Sequence, residues 1–203
     1  MLPFDAILFD IGGVLLTNGW DHCERAEIMA RFDLDPQAFE ARHPKPNDQW
    51  ERDLATLDEY LDATVFYEPR HFSREEFFVA MCDESKLLAN GALGILEELS
   101  SSGKYLMGVL NNEARATNEF RFQRFGLQNH LDVALSSCYL GLRKPEPAIY
   151  RRALDILGRP AERILFIDDR AENAAAAAAS GMKTIRFEGA DQLRSQLESL
   201  GVF

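Results

Sequence analysis

Cysteine is scarce in this chain. The 203 residues hold three, Cys23, Cys82 and Cys138, widely spaced and with no CxxC pair, so neither a disulfide framework nor a zinc site is expected and the thiols read as reduced. Long apolar runs are missing too. The longest candidates, residues 6–9 and 11–16, fall well short of the ~18 residues that a membrane helix needs. The opening Met1-Leu2-Pro3-Phe4-Asp5 lacks the basic flank of a signal peptide, which predicts a cytoplasmic protein. Basic charge is in deficit, with 22 Lys and Arg against 33 Asp and Glu, a net of −11. An acidic surface of this kind repels nucleic-acid backbones and anionic lipid, so neither is expected as a partner. The four histidines, His22, His43, His71 and His130, show no ligand spacing and read as surface or interface residues.

What is present is ordinary for a globular protein: 46% hydrophobic and 27% charged residues exclude collagen-like and disordered readings. The acidity is concentrated. Residues 18–85 carry 17 acidic and 7 basic side chains, against 16 and 15 in all the rest, which marks a compositionally distinct insert. Its charges read as a solvated helical surface.

Ala6-Ile7-Leu8-Phe9 reads as a buried strand followed at once by Asp10 and by Gly12-Gly13, a tight loop. From about Asp21 to Asp83 the texture turns helical, with Asn47 and Ser73 as N-caps and with Pro36, Pro44, Pro46 and Pro69 dividing short helices. After residue 86, helix and strand alternate: helices near 93–99, 114–125, 148–157 and 171–180, and strands near 105–110, 133–135, 164–167 and 184–187. Alternation of this kind predicts an α/β fold, a Rossmann-like parallel sheet covered on both faces, with a small all-helical module inserted after the first strand. The division expected is a core of 1–17 and 86–203 and an insert of 18–85. The alanines at 174–179 suit a helix packed closely on the sheet.

In open parallel sheets, ligands bind beyond the carboxyl ends of the strands. Asp10 with Gly12 and Gly13 follows the first strand, Asn111-Asn112 the second, Arg143-Lys144-Pro145-Glu146-Pro147 lies beyond the third, and Asp168-Asp169 follows the fourth. Three carboxylates, a lysine and two amides thus converge on one edge. Each alone has an ordinary reading as a cap or a turn; the conjunction in this order is far more specific.

These segments resemble the four motifs of the haloacid dehalogenase-like superfamily, made up mostly of phosphatases. The resemblance spans essentially the whole chain and is greatest to the branch holding bacterial α-D-glucose-1-phosphate phosphatase and the phosphatase domain of soluble epoxide hydrolase. It implies a HAD-like fold whose insert is a cap, and a Mg2+-dependent hydrolysis of a small phosphorylated metabolite, such as a sugar phosphate. Asp10 would be the nucleophile that forms an aspartyl phosphate. Mg2+ would be bound by Asp10, a backbone carbonyl near Gly12 and Asp169, with Asp168 behind them. Lys144 would hold nucleophile and phosphoryl group together, and Asn111 and Asn112, with the Gly12-Gly13 loop, would bind the phosphate.

Two positions depart from the superfamily pattern. Gly12 stands where most of its phosphatases carry a second Asp as general acid, and Asn111 where they carry Ser or Thr. The first departure predicts a slow or selective enzyme, since general acid help is typically worth ~10²–10⁴-fold. Two other readings stay open: a degenerate binding or regulatory protein, and a metal-free 2-haloacid dehalogenase, which explains Gly12 but gains nothing from two further carboxylates. Trp20 and Trp50 read as core packing, with Trp50 and Arg52 as the insert's candidates for facing a substrate. Oligomeric state is not encoded recognisably.

Overall fold

The computed structural model describes residues 2–203; Met1, the first residue of the expected core, lies outside them. Five strands form one parallel sheet: β1 (Ala6–Phe9), β2 (Leu106–Val109), β3 (Val133–Ala134), β4 (Ile164–Asp168) and β5 (Lys183–Arg186), in the spatial order β3-β2-β1-β4-β5. The first strand is central, so each of its faces is covered and all four of its residues are buried. Alternation along the strands divides the core. Ile7, Phe9, Met107, Val109, Leu165 and Ile167 face one side, while Ala6, Leu8, Ile164 and Phe166 face the other.

Helices α1 (His22–Arg31), α2 (Pro36–Arg42), α3 (Pro44–Glu51), α4 (Leu57–Thr64) and α5 (Arg74–Asp83) lie between β1 and β2, followed by α6 (Leu93–Ser102). The remaining helices are α7 (Arg115–Phe125), α8 (Ser137–Leu140), α9 (Pro147–Leu157), α10 (Ala171–Ala179) and α11 (Ala190–Ser199). On the first face Leu96 and Leu99 of α6 pack with Leu193 and Leu197 of α11. On the second, Ile149, Tyr150 and Ala153 of α9 pack with Ala177 of α10. The alanine run therefore serves as expected: small side chains bring α10 close to the sheet.

The chain leaves the sheet and returns at one place, where Leu16 and Leu87 form an antiparallel bridge and the Thr17 N–H donates to the Lys86 carbonyl at 2.9 Å. Between these points α1–α5 build a core of their own from Ile28, Met29, Phe39, Trp50, Tyr60, Leu61 and Phe77. Thr56 with Glu59 and Ser73 with Glu76 form reciprocal capping boxes. Ser73 is thus the N-cap the sequence predicts, but Asn47 is not. Helix α3 begins at Pro44, because proline fits the first turn, where its missing N–H has no partner to lose; Asn47 lies inside the helix. Among the described residues no helix is long and apolar enough to cross a membrane.

Candidate active site

Register brings the motifs to one level. Phe9 pairs with Val109 on one side and Ile167 on the other, so Asp10, the Asn111-Asn112 pair and Asp168-Asp169 emerge from neighbouring strands at the same sheet edge. The Asp10 N–H donates to the Ile167 carbonyl at 2.8 Å, and Asp10 Oδ1 accepts from the Ile11 N–H at 2.8 Å. One oxygen from each of Asp10, Asp168 and Asp169 lies within 4.8 Å of the others.

The fully buried Asp168 has its oxygens occupied. They accept from the Arg170 N–H at 2.8 Å, from Asn173 Nδ2 at 3.1 and 3.0 Å, and from Lys144 Nζ at 2.6 Å. Asp169 is different: its Oδ1 is buried and has no hydrogen-bond partner. Lys144 is buried and reaches Asp10 Oδ1 at 3.0 Å as well as Asp168.

The protonation chemistry follows from these contacts. Burial pushes the Asp10 carboxyl up to about 7, against the pull of Lys144 and with help from Asp168. Burial and Asp168 likewise raise Asp169. Burial works against the Lys144 ammonium, but Asp10 and Asp168 outweigh it and hold its pKa above the ordinary lysine value. One ammonium pairs with two of the three carboxylates, and Arg170 pulls on Asp169 from beyond ion-pair distance, so negative charge stays in excess beside the buried Asp10, Asp168 and Lys144. Together with the orphaned Asp169 Oδ1, this all-oxygen donor set fits a hard divalent cation such as Mg2+.

The two glycines have distinct steric reasons. Gly13 has φ +73°, and a Cβ there would sit 2.4 Å from Asp169 Oδ2, so only glycine lets this loop close on that carboxylate. A Cβ on Gly12 would approach Asn18 Oδ1 to 3.0 Å.

The two asparagines are placed differently from each other. Asn111 does not line the cavity described below: its Nδ2 donates to Asn118 Oδ1 at 3.0 Å, and its Oδ1 accepts from Ser136 Oγ at 2.8 Å. Asn112 does line it, yet its amide clamps the backbone of Lys144, accepting from the N–H at 2.8 Å and donating to the carbonyl at 2.9 Å.

A cavity of about 380 Å3 opens above these groups. The sheet edge contributes Asp10, Gly12, Asn112, Lys144 and Asn173, and the helical insert contributes Trp20, Arg25, Asn47, Asp48, Glu51 and Arg52. Arg52, a candidate for facing a substrate, lines this cavity. Trp50 takes the core place read for it and not the alternative one facing a substrate: it is 4% exposed and stacks on Tyr60 with ring centroids 4.3 Å apart. Sequence reasoning passed over Asp48 and Glu51, because acidic residues in an acidic helical stretch look like solvated surface, and it gave Asn47 only a capping task. It also passed over Arg121 of α7, which is 2% exposed and binds Glu113 Oε2 at 2.5 Å and the Thr17 carbonyl. Asn173 had a readable signal, an amide in the first turn of the helix that follows Asp168-Asp169.

The sequence pattern described as haloacid dehalogenase-like hydrolase matches residues 4–181. Flavin mononucleotide hydrolase 1 of Arabidopsis thaliana is 28% identical over 212 residues, which cover 97% of this chain and 77% of that protein. Bifunctional epoxide hydrolase 2 of Rattus norvegicus is 26% identical over 95% of this chain; there the match spans 38% of the longer protein. Among solved structures, the magnesium complex of the HAD family enzyme bt-2542 from Bacteroides thetaiotaomicron superposes with a TM-score of 0.77 at 20% identity, covering 92% of this chain and 94% of that one. That likeness shows a shared fold.

Proposed function

Because this chain belongs to the haloacid dehalogenase-like hydrolase family, we propose that it hydrolyses the phosphate monoester of a small metabolite through a phosphorylated Asp10. The Asp10 carboxylate attacks phosphorus, forming an acyl phosphate as the ester P–O bond breaks; water then releases inorganic phosphate. The observation that carries this reading is the cluster of three carboxylates at the sheet edge, two of them paired with the one ammonium and Asp169 Oδ1 left bare. When bound, a Mg2+ held by Asp10, a carbonyl near Gly12 and Asp169 supplies positive charge that offsets the repulsion between a carboxylate and a phosphate dianion.

The chain's own residues do the rest. Lys144 fixes the orientation of Asp10 and faces the incoming phosphoryl oxygens as a point charge. Asn112 sets the position of Lys144 through its backbone, and Asp168, held by Asn173, sets its ammonium. Asn111 supports the loop through Asn118 and Ser136. The Gly12-Gly13 loop brings backbone close to the phosphoryl group. Residues 18–85 act as a roof over the site, from which Trp20, Arg25 and Arg52 line the cavity, in a cytoplasmic protein.

The cavity is lined mainly by charged and amide side chains, which suits a small polar ester such as a sugar phosphate. A metal-free dehalogenase attacking an anionic haloacid would be opposed by Asp168 and Asp169. Release of 4-nitrophenol from its phosphate, measured with Mg2+ and with a chelator, tests the proposal alongside halide release from chloroacetate. Turnover that needs the metal, with no halide released, is the expected result; turnover that survives chelation rejects it.

A further inference from the structure

Gly12 leaves the loop after β1 without the carboxylate that would protonate a departing alcohol, and the roof of the cavity supplies another. We propose that Glu51, at the end of α3, is the general acid that protonates the leaving group; the assignment rests on the phosphatase reading above.

The geometry singles it out. Glu51 lines the same cavity as Asp10, and its side chain is 17% exposed. Its backbone carbonyl accepts from Ser137 Oγ at 2.7 Å, while the Ser137 N–H donates to the Asn111 carbonyl at 2.9 Å, so the end of α3 is fastened to the loop after β2. Consecutive residues reach the two carboxylates: Arg143 Nε lies 2.6 Å from Glu51 Oε2, and Lys144 Nζ lies 3.0 Å from Asp10 Oδ1. Oε1 accepts from Asn47 Nδ2 at 2.9 Å. Oε2 is off the line of the Arg143 N–H, buried, and without a hydrogen bond.

Glu51 shares an ion pair with Arg143, as its neighbours share theirs, but on the cavity wall it alone keeps a buried oxygen without a hydrogen bond. Besides Asp10, the other carboxylates there accept on both oxygens or lie exposed. Asp21 caps α1 through the His22 N–H. Asp48 is held by Arg52 and Arg143, and Glu146 by Arg52. Glu113 accepts from Thr117 and Arg121, and Glu172 lies exposed. Burial raises the Glu51 carboxyl above the usual range, against Arg143 and with Glu113 adding to the rise, which favours a carboxyl that still holds its proton.

The protons balance over the cycle. As the Asp10–phosphorus bond forms and the ester P–O bond breaks, the Glu51 proton passes to the departing oxygen, giving a neutral alcohol and a Glu51 carboxylate. That carboxylate takes a proton from the water that attacks the acyl phosphate, which releases inorganic phosphate and restores both side chains.

Two aryl esters of similar size test the assignment: 4-nitrophenyl phosphate, whose leaving group departs unaided, and phenyl phosphate, whose leaving group needs the proton. With Mg2+ present, Glu51→Gln is expected to release nitrophenol in a burst equal to the enzyme present, at a rate within about threefold of wild type, before a steady state slowed ~100-fold or more. Its first turnover of phenyl phosphate is expected to fall ~100-fold or more. Glu51→Asp, which keeps the acid, should lie between Gln and wild type in the ratio of the two first-turnover rates. Equal slowing of both first turnovers, or wild-type behaviour on both, overturns the assignment. Full activity in Asp10→Asn, or wild-type failure on both esters, overturns the phosphatase reading instead.

Discussion

Lys144 stands between two buried carboxylates, its Nζ 3.0 Å from Asp10 and 2.6 Å from Asp168. It is therefore both a structural and a chemical element. Removing one partner of a buried ion pair typically costs about 3–5 kcal/mol, because the remaining charge is left uncompensated. Lys144→Met should lower stability by that order in urea melts and reduce phosphate-ester turnover by ~10³-fold or more. Wild-type stability and turnover in this variant would contradict the role given to Lys144.

Gly13 tests the closeness of the loop to Asp169. An added methyl would meet Asp169 Oδ2 at 2.4 Å, on a backbone with φ +73°. The strain is of order 1–3 kcal/mol, and its relief moves either the loop or the carboxylate. Gly13→Ala is expected to weaken Mg2+ binding at least about tenfold, or 1.4 kcal/mol, when measured by calorimetry. Unchanged affinity would separate Asp169 from the metal site.

The insert's stability should depend on pH through His43. Trp20 Nε1 donates to the Tyr60 hydroxyl at 2.7 Å, which leaves that hydroxyl free to donate to His43 Nδ1, 2.9 Å away. Nδ1 must then be unprotonated. Burial, reinforced by Arg25 and Arg143 against Glu40, depresses the His43 pKa from 6.5 to about 4. Between these values the unfolded chain binds the proton and the folded chain does not, so stability is complete above 6.5 and falls as pH drops toward 4. The loss is about 2–3 kcal/mol. His43→Gln, which can still accept from Tyr60, should flatten this part of the profile in urea melts at pH 7, 6 and 5. A slope equal to wild type would contradict the assignment.

Trp50 belongs to the insert's core, stacked on Tyr60 with its plane at 12°. Trp50→Ala is expected to destabilise the protein by about 3–5 kcal/mol and to leave relative rates on different esters within about threefold of one another. Arg52, on the cavity wall, should do the reverse when changed to Met. A changed substrate preference in Trp50→Ala at normal stability would place its ring in the cavity after all.

These cases show what was readable in the sequence. Strands β1, β2 and β4, and with them the edge that gathers Asp10, Asn112, Asp168 and Asp169, follow from apolar runs that end in chemistry-bearing residues. Side-chain direction does not. Adjacent asparagines take different tasks, Asn111 facing Asn118 and Ser136 while Asn112 clamps Lys144, because successive residues leave a strand toward opposite sides. Helix α8, four residues long, is too short to give a period. Helix α11 shows its signal in Leu193 and Leu197, four apart and fully buried, but lies beyond the last strand, where the reading stopped. The insert hid its contribution best. Glu51 and Asp48 differ from their solvated acidic neighbours only in facing Arg143 and Arg52, a relationship between elements that no local pattern carries.

The central claim is that Asp10 carries the phosphoryl group. Mass spectrometry of enzyme quenched in acid during turnover of 4-nitrophenyl phosphate tests it directly. The account predicts a phosphoryl adduct that maps to Asp10, appears with Mg2+, and is absent after chelation or in Asp10→Asn. Turnover with no adduct on Asp10, or an adduct formed equally well without the metal, would contradict it.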